Sequence, residues 1–202
     1  MAEDLEERVD DGLVDDAEDE SHEPELPPGV RARRAAALAH VRQWGDPALK
    51  TKARRVERFD DELKAEVARM AGLMEDALGI GLAGPQVGHL RRLLVYRASP
   101  DAPVTALVNP ELEWSGKDLE TAEEGCLSLQ GVHVDVERPV NVRVRAQDES
   151  GDETLIEASG LEARVIQHEM DHLDGVLILE RTSREQRKEA MRILREAADR
   201  AA

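Results

Sequence analysis

The 202-residue sequence predicts an α+β fold with mostly antiparallel strands. Segments with the 3.6-residue apolar period of helices and segments with the two-residue period of strands both occur along the chain. They do not alternate in the regular order that a parallel α/β sheet requires, so separate helices and an antiparallel sheet are expected. The length is sufficient for one domain with its own hydrophobic core.

Four helices are predicted from composition, apolar spacing and capping signals. An alanine-rich stretch forms the first, and Asp60 supplies an N-cap for the second. The last helix opens with Thr182 or Ser183 as its cap and Glu185 or Gln186 three residues later, the pattern of a capping box. The predicted bounds are 32–44, 61–77, about 161–173 and 183–200. The second helix has a predicted buried face made of Leu63, Val67, Met70, Ala71, Met74 and Leu78.

Extended segments are predicted in the middle of the chain. Residues 132–136 alternate apolar and polar side chains, as a half-buried strand does. A turn signal at 148–152 leads into a further extended run. The strands are predicted at 92–97, 104–108, 131–137, 140–146 and 154–158.

The net charge of −17 is concentrated at the N-terminus. Residues 1–28 hold 13 acidic residues and one basic residue and have no aromatic side chain. Such a segment cannot bury enough apolar surface to fold, so we predict an acidic disordered tail over 1–28 and a single catalytic domain over 29–202. A docking arm for a basic partner is the alternative interpretation of the tail.

The sequence has no recognisable targeting or membrane segment. The N-terminus lacks the basic start and the apolar core of a signal peptide, and no stretch approaches 18 apolar residues. The single cysteine, Cys126, cannot form an intrachain disulfide, which fits a reducing compartment. These features predict a cytoplasmic protein.

The strongest chemical signal is the run His-Glu-Met-Asp-His at residues 168–172. Two histidines four apart lie on one face of a helix, so His168 and His172 can bind the same metal ion, with Glu169 beside them. A thiolate from Cys126 completes three protein ligands and leaves a fourth position for water, the layout of a catalytic metal site. The glycine-rich segment 79–86 ends in Gln86, whose amide can stabilise an oxyanion.

Three segments in this order resemble those of peptide deformylases: the glycine-rich segment, Glu-Gly-Cys-Leu-Ser at 124–128 and Gln-His-Glu-Met-Asp-His at 167–172. The resemblance extends over roughly residues 41–182, with departures at Gly84, where the family usually has alanine, and at Gln130, where proline is common. It implies a fold in which strands surround the metal-binding helix. It also implies hydrolysis of the N-formyl group from the formylmethionine that begins newly synthesised polypeptides, with release of formate.

The resemblance further implies roles for individual residues. Glu169 transfers a proton from water to the leaving nitrogen, and the amide of Gln86 and the backbone N–H of Leu127 hold the oxyanion. The substrate is expected to lie extended against the backbone near Gly81 and Gly125. The family uses one Fe²⁺ per chain and tolerates Zn²⁺, Ni²⁺ or Co²⁺, whereas the ligand types alone also suit zinc.

Other interpretations of the motif remain open. A zinc metalloprotease shares the two histidines and the glutamate but takes its third ligand from beyond the helix. A catalytically silent relative and a structural metal site are the others, although the latter is one ligand short. His133 is a weaker candidate for a fourth ligand because it lies on an alternating strand. The remaining histidines are predicted to be surface residues, namely His22, His40 and His89.

The C-terminal helix carries a local excess of positive charge. Residues 183–202 have six basic and four acidic side chains, in a chain whose net charge is −17. We expect either a solvated surface helix with i,i+4 ion pairs or a transient contact with the ribosome, and no specific DNA partner. The residues of an apolar stripe that would pack on the domain are Ala190, Met191, Leu194, Ala197 and Ala198.

Overall fold

The computed structural model describes residues 26–201 of the chain. Its strands are β1 (Gly81–Ala83), β2 (Leu93–Tyr96), β3 (Thr105–Ser115), β4 (Leu119–Gly125), β5 (His133–Pro139), β6 (Asn141–Gln147) and β7 (Glu153–Ser159). Five of them form a sheet in the order β1-β2-β3-β6-β7, and β4 and β5 form a separate two-stranded sheet. Every neighbouring pair of named strands is antiparallel, as predicted.

Four α-helices accompany the sheets in the described part of the chain. They are α1 (Pro28–Leu38), α2 (Asp61–Asp76), α3 (Gly160–Leu173) and α4 (Arg184–Ala201). α3 contacts strands of both sheets, and its Ala163, Ile166 and Leu173 pack with buried side chains of β2, β3 and β6. The strands therefore surround α3, which confirms the predicted α+β architecture.

Three of the predicted helices occur close to their predicted bounds. Asp60 caps α2 by accepting the N–H of Leu63 at 3.1 Å. Ser183 rather than Thr182 caps α4, because its Oγ accepts the N–H of Gln186 at 3.2 Å. The prediction that Leu78 belongs to the buried face of α2 is wrong. Leu78 lies beyond the end of the helix with a positive φ and is 51% exposed.

The first helix occupies 28–38 rather than the predicted 32–44. Pro27 starts it, because its carbonyl accepts the N–H groups of Val30 and Arg31. The N–H groups of residues 39–41 still bond to carbonyls within the preceding turn, but at Arg42 and Trp44 the backbone bonds to distant segments. The N–H of Arg42 donates to the carbonyl of Gln86, and that of Trp44 to the carbonyl of Ser128. Tertiary hydrogen bonds thus end a helix that alanine content alone would extend.

All five predicted strands occur, but two were missed and one is longer than predicted. β1 has only three residues, and β4 is largely exposed and acidic, so neither shows the alternation of a half-buried strand. β3 continues to Ser115, and its last five residues are exposed. β5 alternates buried and exposed side chains, as predicted for 132–136.

No helix within residues 26–201 is long and apolar enough to cross a membrane. The predicted acidic tail, 1–28, lies outside the described residues except for its last three, which lead into α1. The predicted apolar stripe of α4 is shorter than expected: Ala190 and Leu194 are buried, but Ala197 and Ala198 are exposed. The end of α4 therefore extends beyond the domain core.

Candidate active site

The three predicted metal ligands meet where β4 ends beside α3. Cys126 directly follows β4, and its Sγ lies 3.3 Å from Nε2 of His172. His168 and His172 are one turn apart on α3, with ring centroids 5.0 Å apart. One ligand atom from each of the three residues lies within 4.8 Å of the others. Helical spacing thus brings the two imidazoles together, and the tertiary structure brings the thiol to the same point.

The surroundings of the two imidazoles shift their pKa values in opposite directions. Burial lowers the pKa of His172 well below its ordinary value, so its imidazole is neutral, the form in which histidine binds metal. Burial opposes a charge on His168, but hydrogen bonds to Cys126 and Glu124 raise the pKa of His168 to about 10. A thiolate with two imidazoles is a donor set that suits divalent transition metals.

Glu124 holds His168 in place, a role that the sequence analysis did not assign. Its Oε2 lies 3.0 Å from Nδ1 of His168, which leaves Nε2 to face the cysteine. Arg138 donates to both carboxylate oxygens at 2.7 and 2.9 Å, and Arg164 donates to Oε1 at 2.8 Å. Burial would raise the pKa of Glu124, but the hydrogen bonds from His168 and Arg138 lower it to about 2. The carboxylate is therefore charged and fixed.

Glu169 lies on α3 between the two histidines in sequence and is only 4% exposed. Burial raises the pKa of Glu169 to about 7. Its Oε2 is buried and has no hydrogen-bond partner among the described residues. β1 approaches this side chain so closely that a Cβ on Gly81 would lie 2.8 Å from Cγ and Cδ of Glu169. The glycine therefore leaves room for the carboxylate.

Gln86 is oriented by its neighbours. Its Oε1 accepts the N–H of Ala83 at 2.8 Å, so its Nε2 points the other way. That nitrogen donates to Oγ of Ser128 at 3.2 Å and lies 3.7 Å from Sγ of Cys126. The carbonyl of Leu127, next to the cysteine, accepts from Nε2 of Gln43 at 3.2 Å. The carbonyl of Cys126 accepts the N–H of Leu129 at 2.9 Å, so the peptide that carries the N–H of Leu127 is also held beside the metal ligands.

A cavity of about 670 Å³ opens onto this point. Its walls include every predicted site residue except His172, which is buried behind it: Gly81, Gln86, Gly125, Cys126, Leu127, His168 and Glu169. Leu161 and Val165 of α3 add apolar surface to the same cavity. The arrangement can hold a metal ion, a water and an extended ligand together.

The other histidines lie apart from the ligand cluster. His133 pairs with Gly125 across β4 and β5 and lines the cavity, but it is not among the clustered ligand atoms of the described residues. His40 is exposed, as predicted. His89 is partly exposed, and its Nδ1 lies 2.6 Å from the buried carboxylate of Glu66. His22 lies outside the described residues.

Comparison with known proteins identifies the family. The sequence profile of the protein family described as polypeptide deformylase matches residues 38–188 of this chain. The chain belongs to this family. The match spans β1 to β7, α3 and all eight predicted site residues.

Individual relatives agree with this assignment. A peptide deformylase of Picosynechococcus sp. is 47% identical over 144 residues, 70% of this chain and 77% of the relative. One from Acidothermus cellulolyticus is 44% identical over 161 residues, 80% of this chain and 88% of the relative. The crystal structure of a peptide deformylase from Synechococcus elongatus in complex with actinonin has a TM-score of 0.72 and 46% identity, and the match covers 75% of this chain and 84% of that one.

Family membership settles the activity. Peptide deformylases are metal-dependent hydrolases that remove the N-formyl group from newly synthesised polypeptides, and the chain has this activity. The predicted fold, enzyme class and reaction are confirmed. The structure explains why glycine occupies position 84, where the family usually has alanine. A Cβ on Gly84 would lie 2.7 Å from the carbonyl oxygen of Arg91.

Proposed function

We propose that Cys126, His168 and His172 hold one ferrous ion and that Glu169 is the general acid/base of deformylation. The observation that carries the proposal is that the ligand atoms of Cys126, His168 and His172 cluster beside the cavity that Glu169 lines, with the buried Oε2 of Glu169 unpartnered among the described residues. When bound, a divalent ion lowers the pKa of a coordinated water toward about 7. Glu169 accepts the proton of the attacking water and later donates it to the leaving nitrogen.

Gln86 and Leu127 are our proposed oxyanion donors. The orientation of the Gln86 amide supports this role, because the hydrogen bond from Ala83 to its oxygen leaves Nε2 facing Cys126. The backbone N–H of Leu127 belongs to the peptide next to the same cysteine. Donors fixed before the reaction stabilise developing negative charge without the cost of reorganisation.

The substrate is proposed to lie extended between the edges of β1 and β4. Within the described residues each of these strands has one paired neighbour, so each presents a second edge, and Gly81 and Gly125 on those strands line the cavity. An extended peptide can add to such an edge through main-chain hydrogen bonds. The methionine side chain would occupy the apolar part of the cavity beside Leu127, Leu161 and Val165.

Turnover of a formyl-Met tripeptide by anaerobically prepared, iron-loaded protein tests the proposal. We expect formate release from this peptide and none from the acetyl-Met peptide of the same sequence, with casein uncleaved. Casein cleavage without formate release would instead support a metalloprotease. Loading the same protein with Zn²⁺, Ni²⁺ or Co²⁺ tests the metal: iron is expected to give the highest kcat/KM, and a higher value with zinc would contradict the iron assignment.

We further propose that the protein acts in the cytoplasm and touches the ribosome transiently through α4. Support comes from the excess of basic residues in 183–202 and from the exposed end of the helix beyond Leu194. Part of that charge is already paired, since Arg192 contacts Glu189 and Glu196. Co-sedimentation with ribosomes at low salt should decrease for a chain ending at Thr182, and equal binding by both folded proteins would leave α4 a structural element only.

A further inference from the structure

The helix α1 is an addition to the matched family region that reaches the active-site cavity. It spans Pro28–Leu38, whereas the family match begins at residue 38. Its last two residues, Ala37 and Leu38, are buried in a cluster with Leu63 and Met70 of α2. This burial fixes α1 against the domain, so side chains on the same face of the helix have defined positions.

Arg34 is on that face, three and four residues before the buried pair. It lines the same cavity as Cys126, His168 and Glu169. It is partly exposed, and its side chain makes no hydrogen bond or ion pair within residues 26–201. The guanidinium is therefore held at the cavity with its donors available to a ligand.

Of the two arginines in the cavity wall, Arg34 is the one whose side chain can bind an acidic ligand. Arg164, the other arginine in the wall, is buried and donates to Glu124 and to backbone carbonyls. Glu123 comes from β4, and no ion pair joins it to Arg34 in the described part of the chain. An acidic group that enters the cavity beside α1 thus meets a guanidinium that no side chain of residues 26–201 pairs with.

We propose that Arg34 selects formylated polypeptides with a carboxylate side chain at the second or third residue, an inference that rests on the deformylase activity. A guanidinium binds a carboxylate through two parallel hydrogen bonds, a geometry that a neutral amide matches less well. Side chains of an extended peptide alternate in direction, so either of the two positions after methionine can face α1. The contact is partly exposed, which limits the preference to about two- to fivefold in kcat/KM.

The test uses C-terminally amidated peptides, formyl-Met-Xaa-Ala and formyl-Met-Ala-Xaa, with glutamate or its neutral isostere glutamine as Xaa. The full chain should hydrolyse the glutamate peptide faster at one of the two positions, and the ratio should fall as salt is added. Arg34→Ala should bring the ratio to about one, and Arg34→Glu should invert it, while the glutamine peptides keep their kcat/KM. Arg33→Ala is the matched control, because Arg33 is exposed on α1 and does not line the cavity.

A full chain that does not prefer glutamate at either position would overturn the proposal, and so would equal ratios for Arg34→Ala and Arg33→Ala. Loss of all peptide turnover in Arg34→Ala, with melting temperature unchanged, would also contradict it, because it would place Arg34 in the chemistry itself. Hydrolysis of the glutamine peptides by the full chain keeps the deformylase activity separate from each of these outcomes.

Discussion

Gly81→Ala should inactivate the enzyme by displacing Glu169. The added Cβ would lie 2.8 Å from Cγ and Cδ of Glu169 and closer still to Oε1, whereas ordinary contacts begin at 3.4 Å. Glu169 is nearly fully buried and α3 is packed on both sheets, so the carboxylate has to leave its position. A misplacement on the order of 1 Å at a reacting group costs about 10²-fold in rate. We therefore expect kcat to fall about 100-fold, or about 2.7 kcal/mol in activation free energy.

The assay is kcat for a formyl-Met tripeptide, measured with metal content and melting temperature. Metal content should stay at one per chain, because the atoms nearest to the added methyl would all belong to Glu169, our proposed proton carrier, and not to the three proposed ligands. Gly72→Ala is the control: a Cβ there meets no atom within 4 Å, and alanine in the interior of α2 should stabilise the fold by about 0.5–1 kcal/mol with kcat unchanged. Wild-type kcat in Gly81→Ala would refute the reasoning, since it would show that the carboxylate need not be where the structure places it.

Three further changes test other parts of the site and chain. Cys126→Ala should leave two metal ligands, so elemental analysis after dialysis against a chelator should show less than one metal per chain. Full, tightly held metal in this variant would rule out the cysteine as a ligand. Gln86→Ala should lower kcat by about 10²–10³, whereas a change confined to KM would assign Gln86 to ground-state binding. A chain that begins at Leu26, and so keeps the Pro27 start of α1, should retain its kcat/KM if the acidic tail is dispensable; a large loss would show that the tail docks on the domain.

The features of the site that follow from helical spacing were predictable from the sequence. His168 and His172 share a face of α3 because four residues make about one helical turn, and Glu169 is placed by the same helix. Cys126 entered the ligand set only through its flanking motif, because a lone cysteine carries little information on its own. In the structure the Sγ of Cys126 lies 3.3 Å from Nε2 of His172. The two residues are 46 positions apart, and no local sequence pattern indicates this contact.

The missed features depend on tertiary contacts. Glu124 was seen as part of a motif, but its role appears only when β4, β5 and α3 bring Arg138, Arg164 and His168 to the same carboxylate. β4 was not predicted because its exposed, acidic residues lack alternation, even though it delivers Cys126. The end of α1 was misplaced because the hydrogen bonds that stop it run to residues 86 and 128. Sequence periodicity cannot report on bonds between distant segments.

The central claim is that Glu169 carries the proton while Cys126, His168 and His172 alone hold the metal. Glu169→Ala, prepared anaerobically with iron, tests it in one sample by elemental analysis and by kcat on a formyl-Met tripeptide. We expect one metal per chain and a kcat lowered by about 10²–10⁴, or about 3–5 kcal/mol. Loss of metal together with activity would contradict the account, because it would make the glutamate a ligand.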